Sequence, residues 1–307
     1  MARVSAHRGY GGRLVVPSLS VVIPVKDGSR YLGEVLAALG REMPGAEVLV
    51  IDSGSTDGSM EIARMAGARV HAISPSEFGH GRTRNLGADL TTGDFVVYLT
   101  QDATPVPGWG AALLAPFADG DVGVVFGPQL PRPGSFPMVA RELEWFFANL
   151  PADDPYLSNV NAAYRRECWA QVRFRVDYAE DQAFGEDLRA TTWRKVLAPG
   201  AAVLHAHDYS VIGFWRRAFD EARGMREARG WVEQITVRGT LGGIRRQIGR
   251  DQRWMRAQGW PARRRLAWLL RSAAHHTGRK LFAWLGSRAE RLPAPVRRGL
   301  SLERRAE

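Results

Sequence analysis

The sequence predicts an α/β protein whose mostly parallel sheet is covered by helices. Three observations predict it. Short apolar, β-branched runs recur through the first hundred residues, helical-period segments separate them, and the connections are only a few residues long. Polar residues also gather where these runs end, the edge at which such sheets bind ligands.

The first run, Leu19-Ser20-Val21-Val22-Ile23-Pro24, reads as a strand buried on both faces and closed by Pro24. Residues 29–40 then carry apolar side chains at helical spacing and stop at Gly40. A second strand over 47–52 runs into Ser53-Gly54-Ser55-Thr56-Asp57-Gly58. A helix over 58–66, a strand over 69–73 and a helix over 82–89 follow. A fourth strand, 95–100, ends in Gln101-Asp102-Ala103. Beyond about residue 105 the rhythm loosens. A strand at 122–126, a helix at 137–149, a helix at 182–192 after Tyr178-Ala179-Glu180-Asp181, and a strand at 201–205 are expected. From 211 onward the pattern is Arg-rich and helical, with turn signals at Gly224, Gly230, Gly242-Gly243 and Gly259-Trp260-Pro261. The expected organisation is a flexible segment over 1–18, an α/β domain over 19–212 and a helical region over 213–307.

Composition narrows the function classes. The chain has 307 residues, 45 % hydrophobic, which excludes a disordered protein. Its formal net charge of +10 is unevenly placed: residues 1–210 carry −5 and residues 211–307 carry +15. Uniform gripping of nucleic acid would not distribute charge in this way. Cys168, the only cysteine, has no internal disulfide partner, which argues against a disulfide-built secreted protein. No apolar run approaches the ~20 residues of a membrane span, and the N-terminus shows no apolar signal core. A cytoplasmic location, with membrane contact only from the side, is the expectation.

Three strand ends carry polar clusters: Pro24 to Asp27, Asp52 to Asp57, and Gln101-Asp102. Asp52 and Asp57 would serve a ligand there or cap the following helix. Later segments add Phe78-Gly79-His80-Gly81-Arg82-Thr83-Arg84-Asn85, Leu99-Thr100-Gln101-Asp102-Ala103 and His205-Ala206-His207-Asp208-Tyr209-Ser210. Together with SVVIPVKDG and VLVIDSGSTDGS, these motifs resemble the family 2 inverting glycosyltransferases of the GT-A fold, a Rossmann-like architecture. Within that family the chain is most similar to the bacterial rhamnosyltransferase branch, over roughly residues 19–220.

The resemblance implies a nucleotide-sugar donor, with dTDP-L-rhamnose favoured over a UDP- or GDP-sugar. Asp52 is suited to accept from an N–H of the base, flanked by Pro24, Val25, Asp27 and Gly54, while Asp57 contacts base or ribose or only shapes the turn. The segment Phe78, His80, Gly81, Arg84 and Asn85, with Gln101, completes the expected nucleotide contacts. Arg84 or Arg82 would pair with the diphosphate. Asp102 stands where the family holds a divalent cation, Mg²⁺ or Mn²⁺, with His207 or His205 as a further ligand. Two acid pairs compete for general base, Glu180-Asp181 and Glu186-Asp187. Matching the family pattern through to His205 selects Asp181, with Glu180 orienting it and Asp187 on an exposed helix face. Asn159 and Asn161 alternate in an extended stretch and would face the acceptor together, or stabilise a turn. Trp145 would stack on the acceptor or belong to the core.

The acceptor implied is a glycan or glycolipid. Residues 240–307 are expected at a membrane surface, because 260–285 can form a helix with Leu and Trp on one side and Arg on the other. Plain packing and single-strand nucleic-acid binding are the competing readings of this region. His275-His276 shows no metal partner in the sequence. A nucleic-acid-binding protein with a nucleotide-binding domain, or a nucleotidyltransferase, would be the alternative to glycosyl transfer.

Overall fold

The structure, a computed structural model, describes residues 18–151, 153–206 and 209–303. The chain divides into two compact units, residues 1–132 with 146–206 and residues 133–145 with 207–307.

The first unit holds the sheet. Strands β1 (Leu19–Val25), β2 (Glu47–Asp52), β3 (Arg69–Ala72) and β4 (Phe95–Leu99) alternate with helices α1 (Ser29–Glu42), α2 (Ser59–Met65) and α3 (His80–Asp89). Then come β5 (Ala103–Pro105), α4 (Trp109–Leu114), β6 (Val122–Phe126), β7 (Gln129–Pro131) and α5 (Pro137–Ala148), whose residues up to Trp145 are assigned to the second unit. After it follow β8 (Asn161–Arg165), α6 (Arg166–Val172), α7 (Glu180–Leu188), β9 (Arg194–Leu197) and β10 (Val203–His205). Seven strands form one sheet in the order β3-β2-β1-β4-β8-β6-β9, and β5-β10-β7 form a small second sheet. Only β8 runs against its neighbours in the large sheet, so the mostly parallel α/β architecture is the one the sequence predicts.

The apolar runs are strands because both faces are covered. Val21, Val22, Ile23, Leu49, Val50, Val96 and Val97 have no exposed surface. Helix α1 seals one face with Leu32, Val35, Leu36 and Leu39 at successive helical turns. Strands β8 and β9 were not expected; short and polar at their ends, they are strands because β4 and β6 pair with them. Helix α7 begins at Glu180, two residues earlier than its apolar pattern indicates, and so takes the acid pair into its first turn.

Strand order matters for function. The chain moves outward from β1 to β2 and β3, then returns to place β4 on the other side of β1. The carboxyl ends of β1 and β4 therefore flank a topological switch point. There the Gln101 side chain accepts from the Lys26 amide at 2.8 Å and donates to the Lys26 carbonyl at 3.0 Å.

The second unit is helical: α8 (Val211–Arg229), α9 (Val237–Ala257), α10 (Ala262–Gly286) and α11 (Ala294–Leu300), with residues 133–145. Its interior is organised by Asp251, which is fully buried. This carboxylate accepts from Arg141 Nε at 2.6 Å, Ser272 Oγ at 2.5 Å and His276 Nε2 at 2.7 Å. The fold also brings Glu142 beside His275 and His276, three potential ligand atoms lying within 4.8 Å of one another. The sequence gives no sign of this grouping because Glu142 lies on another helix. Arg279 and Arg141 pair with Glu142, so Glu142 and Asp251 already face two guanidinium groups in a charge-balanced network.

Asp57 ties the loops after β1 and β2 together. Its carboxylate accepts from Ser29 N, the first residue of α1, at 2.8 Å and from Ser59 N, the first residue of α2, at 3.1 Å. Burial is the largest single influence and would raise the carboxyl, but the Ser59 hydroxyl, Ser29 and these amides together outweigh it and hold the group well below its ordinary range. Its stabilising contribution is therefore complete above the unfolded carboxyl value and is lost as pH falls towards the folded one. Asp57→Ala is expected to lower stability by about 1 kcal/mol at neutral pH, measured by urea unfolding, with the difference from wild type shrinking in acid.

Candidate active site

Asp52 ends β2 with almost no exposed surface. Its Oδ2 accepts from the amides of Gly54 and Ser55, both at 3.0 Å. The tight turn requires Gly54 at φ +89°, a region that side chains disfavour. Asp52 Oδ1 is buried and has no hydrogen-bond partner among the described residues. An acceptor held in place yet left unsatisfied is costly unless a ligand completes it.

The other residues around it are differently engaged. Asp27 accepts from Thr56 N at 2.8 Å and pairs with Lys26 at 3.1 Å, and the Thr56 amide and Lys26 hold its carboxyl below the ordinary range. Pro24 and Val25 lie in register with Ile51 and Asp52. The Gly54 carbonyl accepts from Lys26 Nζ. Asp27 and Asp57 thus stitch the two loops, while Asp52 keeps an open oxygen.

Asp102 follows β4 and sits beside His205 of β10, whose backbone pairs with Ala103. Asp102 Oδ1 and His205 Nε2 are 3.3 Å apart. Burial would raise the Asp102 carboxyl, but the His205 charge and hydrogen bond outweigh it and hold the group low. His205 Nδ1 meets Gln129 Oε1 at 2.8 Å, and Gln129 Nε2 donates to Ser158 Oγ at 3.0 Å. Nδ1 donates to Gln129, which fixes the ring with Nε2 toward Asp102; Nε2 donates to that carboxylate when protonated and would offer its lone pair to a cation once the proton is lost. One carboxylate oxygen and one imidazole nitrogen so arranged fit a divalent cation that also takes ligands from phosphate and water. His207 lies outside the described residues. Arg132 braces this loop: it donates to the Asp102 carbonyl at 3.3 Å and to Thr104 Oγ1 at 2.5 Å, and pairs with Glu34 at 3.1 Å. Neither Gln129 nor Arg132 stands out in the sequence, since each acts through residues distant along the chain.

The acid pair opens α7. Ala179, its N-cap, has φ 54°, strained for a residue with a side chain. Glu180 is buried and forms an ion pair with Arg84 at 2.9 Å, each side chain about 5 % exposed. Asn159 Nδ2 donates to Glu180 Oε1 at 2.8 Å, and Tyr164 OH donates to Asn159 Oδ1 at 2.6 Å. Asp181 is half-buried and accepts from Asn159 N at 3.1 Å and Gln182 N at 2.8 Å. Burial first, and the Glu180 charge second, push its carboxyl up to about 7, against those amides and Arg84. The Thr100 amide donates to the Val160 carbonyl at 3.1 Å. That bond joins the Asp102 loop to the turn that holds Asp181. Asp187 instead pairs with Arg175 at 2.7 Å on the outer side of α7.

Several expectations need correction. Arg84, expected on a diphosphate, is committed to Glu180, and Arg82 pairs with Asp177. Asn85 donates to the Phe174 carbonyl at 2.8 Å and accepts from Trp169 Nε1 and the Phe174 amide, so its amide ties α3 to the core. Asn159 and Asn161 do not share a face, because a turn at 159–160 breaks the alternation. Asn161 faces Trp109 Nε1 at 2.7 Å and the Ala201 carbonyl at 2.5 Å. Trp145 is half-exposed and so not part of the core, with Arg250 over its ring at 5.5 Å. The segment Phe78, His80 and Tyr178 forms an edge-on aromatic row, with centroids 5.1 and 5.3 Å apart. Gly81 allows that row's helix to touch Val176 and Glu180, where any Cβ would collide.

The sheet and its switch point, with carboxylates at the strand ends, are those of the GT-A fold. Residues 20–174 match the family described as Glycosyl transferase family 2, and the chain belongs to that family. It is 29 % identical to the O-antigen chain rhamnosyltransferase WbaN of Salmonella anatum over 224 residues, 67 % of this chain and 71 % of that one. Among solved structures it is similar in fold to the mannosyltransferase PcManGT of Pyrobaculum calidifontis in complex with GDP-Man and Mn²⁺. That likeness has a TM-score of 0.61 and 18 % identity and covers 90 % of this chain and 88 % of that one. The glucosyl-3-phosphoglycerate synthase of Mycobacterium tuberculosis, with Mn²⁺, UDP and phosphoglyceric acid, aligns with a TM-score of 0.54 and 21 % identity over 69 % and 78 % of the two chains.

The Glu180 charge helps to hold the Asp181 carboxyl high. Glu180→Gln is therefore expected to lower the Asp181 pKa, read by carbon NMR titration, and to cost about 3 kcal/mol or more of stability by leaving Arg84 buried and unpaired.

Proposed function

We propose that the chain transfers L-rhamnose from dTDP-L-rhamnose to a hydroxyl of a lipid-linked or cell-envelope glycan, with inversion at the anomeric carbon. The observation that carries transfer is Asp181: a half-buried carboxyl held near neutrality, joined through one backbone bond to the loop of Asp102. The similarity to WbaN supports rhamnose as the sugar.

The open Asp52 Oδ1 accepts the N–H of the thymine ring, a role its missing partner suits. Pro24, Val25 and Gly54 form the backbone beside it, and His80 and Phe78 extend the nucleotide side. A divalent cation, Mn²⁺ or Mg²⁺, would be held by Asp102 and His205, and when bound it supplies positive charge for the leaving diphosphate. Asp181 takes the acceptor hydroxyl proton as the new oxygen–carbon bond forms and the carbon–diphosphate bond breaks. One base suffices for such a displacement, in contrast to the two-carboxylate retaining scheme. Glu180, fixed by Arg84 and Asn159, keeps Asp181 in place and basic.

The acceptor side includes Asn159, whose backbone amide holds Asp181. The enzyme works at the cytoplasmic face of the membrane, with residues 240–307 as the contact. The Arg-rich second unit supports that location, and no helix among the described residues is long and apolar enough to cross a bilayer.

A panel of sugar nucleotides, read by mass detection of the released nucleoside diphosphate, tests the donor. dTDP-rhamnose should turn over best with Mn²⁺ or Mg²⁺ present; turnover of only a UDP- or GDP-sugar refutes it. Asp181→Asn should lower kcat by about 100- to 10,000-fold with donor affinity unchanged. Full activity in that variant, with loss in Asp187→Asn, would move the base to the second acid pair.

A further inference from the structure

Helix α10 turns two contrasting faces. Ser272, His275, His276 and Gly278 are buried, and Trp268 leans inward, its ring 5.9 Å from Phe136 and 6.1 Å from Trp260. On the opposite side Leu266 is 69 % and Leu270 80 % exposed, and Leu281 is 47 % exposed further along the helix. These positions, with Ala274 between them, fall on one stripe at helical spacing. The sequence pattern grouped Leu with Trp; in the fold the Leu stripe faces outward and Trp268 does not.

Charge says what covers the stripe. Helix α10 carries Arg263, Arg264, Arg265, Arg271, Arg279 and Lys280 and no acidic residue. Arg263, Arg264 and Arg271 are exposed beside the leucines. Arg264 and Arg271 lie over the rings of Trp260 and Trp268, with centroid distances of 3.6 and 4.9 Å, so their guanidinium groups are steadied near the surface. Isolated apolar side chains on a surface are ordinary. A stripe of leucines bordered by cations with no carboxylate on the helix is complementary to a layer that is apolar inside and anionic outside.

We propose that the outward face of α10 docks on an anionic phospholipid surface, with Leu266 and Leu270 entering the acyl boundary and Arg263, Arg264 and Arg271 at the phosphates. This rests on the reading of the chain as an enzyme that works on a lipid-linked acceptor, and it names the surface that meets the lipid. The helix lies along the interface and does not cross it.

The full chain is mixed with phosphatidylglycerol or phosphatidylcholine vesicles and assayed by flotation at low and high salt. Binding is expected to phosphatidylglycerol only and to weaken as salt rises. Leu266→Ser with Leu270→Ser, which changes no charge, should abolish flotation; each of Arg263→Gln, Arg264→Gln and Arg271→Gln should weaken it about fivefold. Circular dichroism and donor hydrolysis in solution are read on the same variants and should match wild type. Equal flotation of the leucine variant and wild type overturns the proposal. So does a wild-type dimer that the leucine variant turns into monomer without vesicle binding, which assigns the stripe to a second copy. Tighter binding to an oligonucleotide than to phosphatidylglycerol overturns it as well. Absence of hydrolysis with every sugar nucleotide refutes the enzymatic reading alone and leaves the vesicle result standing.

Discussion

The buried ion pair between Arg84 and Glu180 is the constraint on which the active-site half of the molecule depends. Each charge is nearly inaccessible to water, so either alone would be strongly unfavourable. Their attraction draws the N-terminal half of α3 against the first turn of α7. Gly81 makes that approach possible, and Tyr164 and Asn159 take up Glu180 from the sheet side. A buried pair contributes little net stability compared with an apolar replacement. Its consequence here is electrostatic: a permanent negative charge beside Asp181 opposes a second one, and the proposed base remains proton-hungry near neutral pH.

A complementary principle operates at the ends of β1, β2 and β4. Most polar groups there are satisfied within the protein, by Gln101 across the switch point and by Asp27 and Asp57 between the loops. Asp52 Oδ1, by contrast, is left without a partner among the described residues. Asp102 and His205, 3.3 Å apart, pair with each other and bring two potential cation ligands together. The rigidity of the surroundings is what makes the open oxygen of Asp52 meaningful, because a floppy loop would close on itself.

Much of this was legible in the sequence, and the reason is local. β1, β2 and β4 are apolar on both faces and end in polar residues, a pattern written in consecutive positions. Asp52, Asp102 and the Glu180-Asp181 pair stand at recognisable element ends. What sequence could not reveal depends on contacts between distant segments. Arg84 resembles a phosphate-binding arginine until α7 supplies a carboxylate 96 positions later. Asn85 and Asn161 are amides of the right type, yet each is hydrogen-bonded to backbone of the protein itself. Gln129 is ordinary in sequence and acquires its role only because β7 and β10 pair in the small sheet. The Leu stripe of α10 emerges only once packing fixes which side of the helix faces inward.

The central claim is a single displacement with Asp181 as the one base, and the configuration of the product tests it most directly. Nuclear magnetic resonance of the product glycoside, made from a donor of defined anomeric form, should show the opposite configuration at the transferred sugar. Retention of the donor's configuration would contradict the account, because it requires a second displacement that this arrangement of carboxylates is not built to perform.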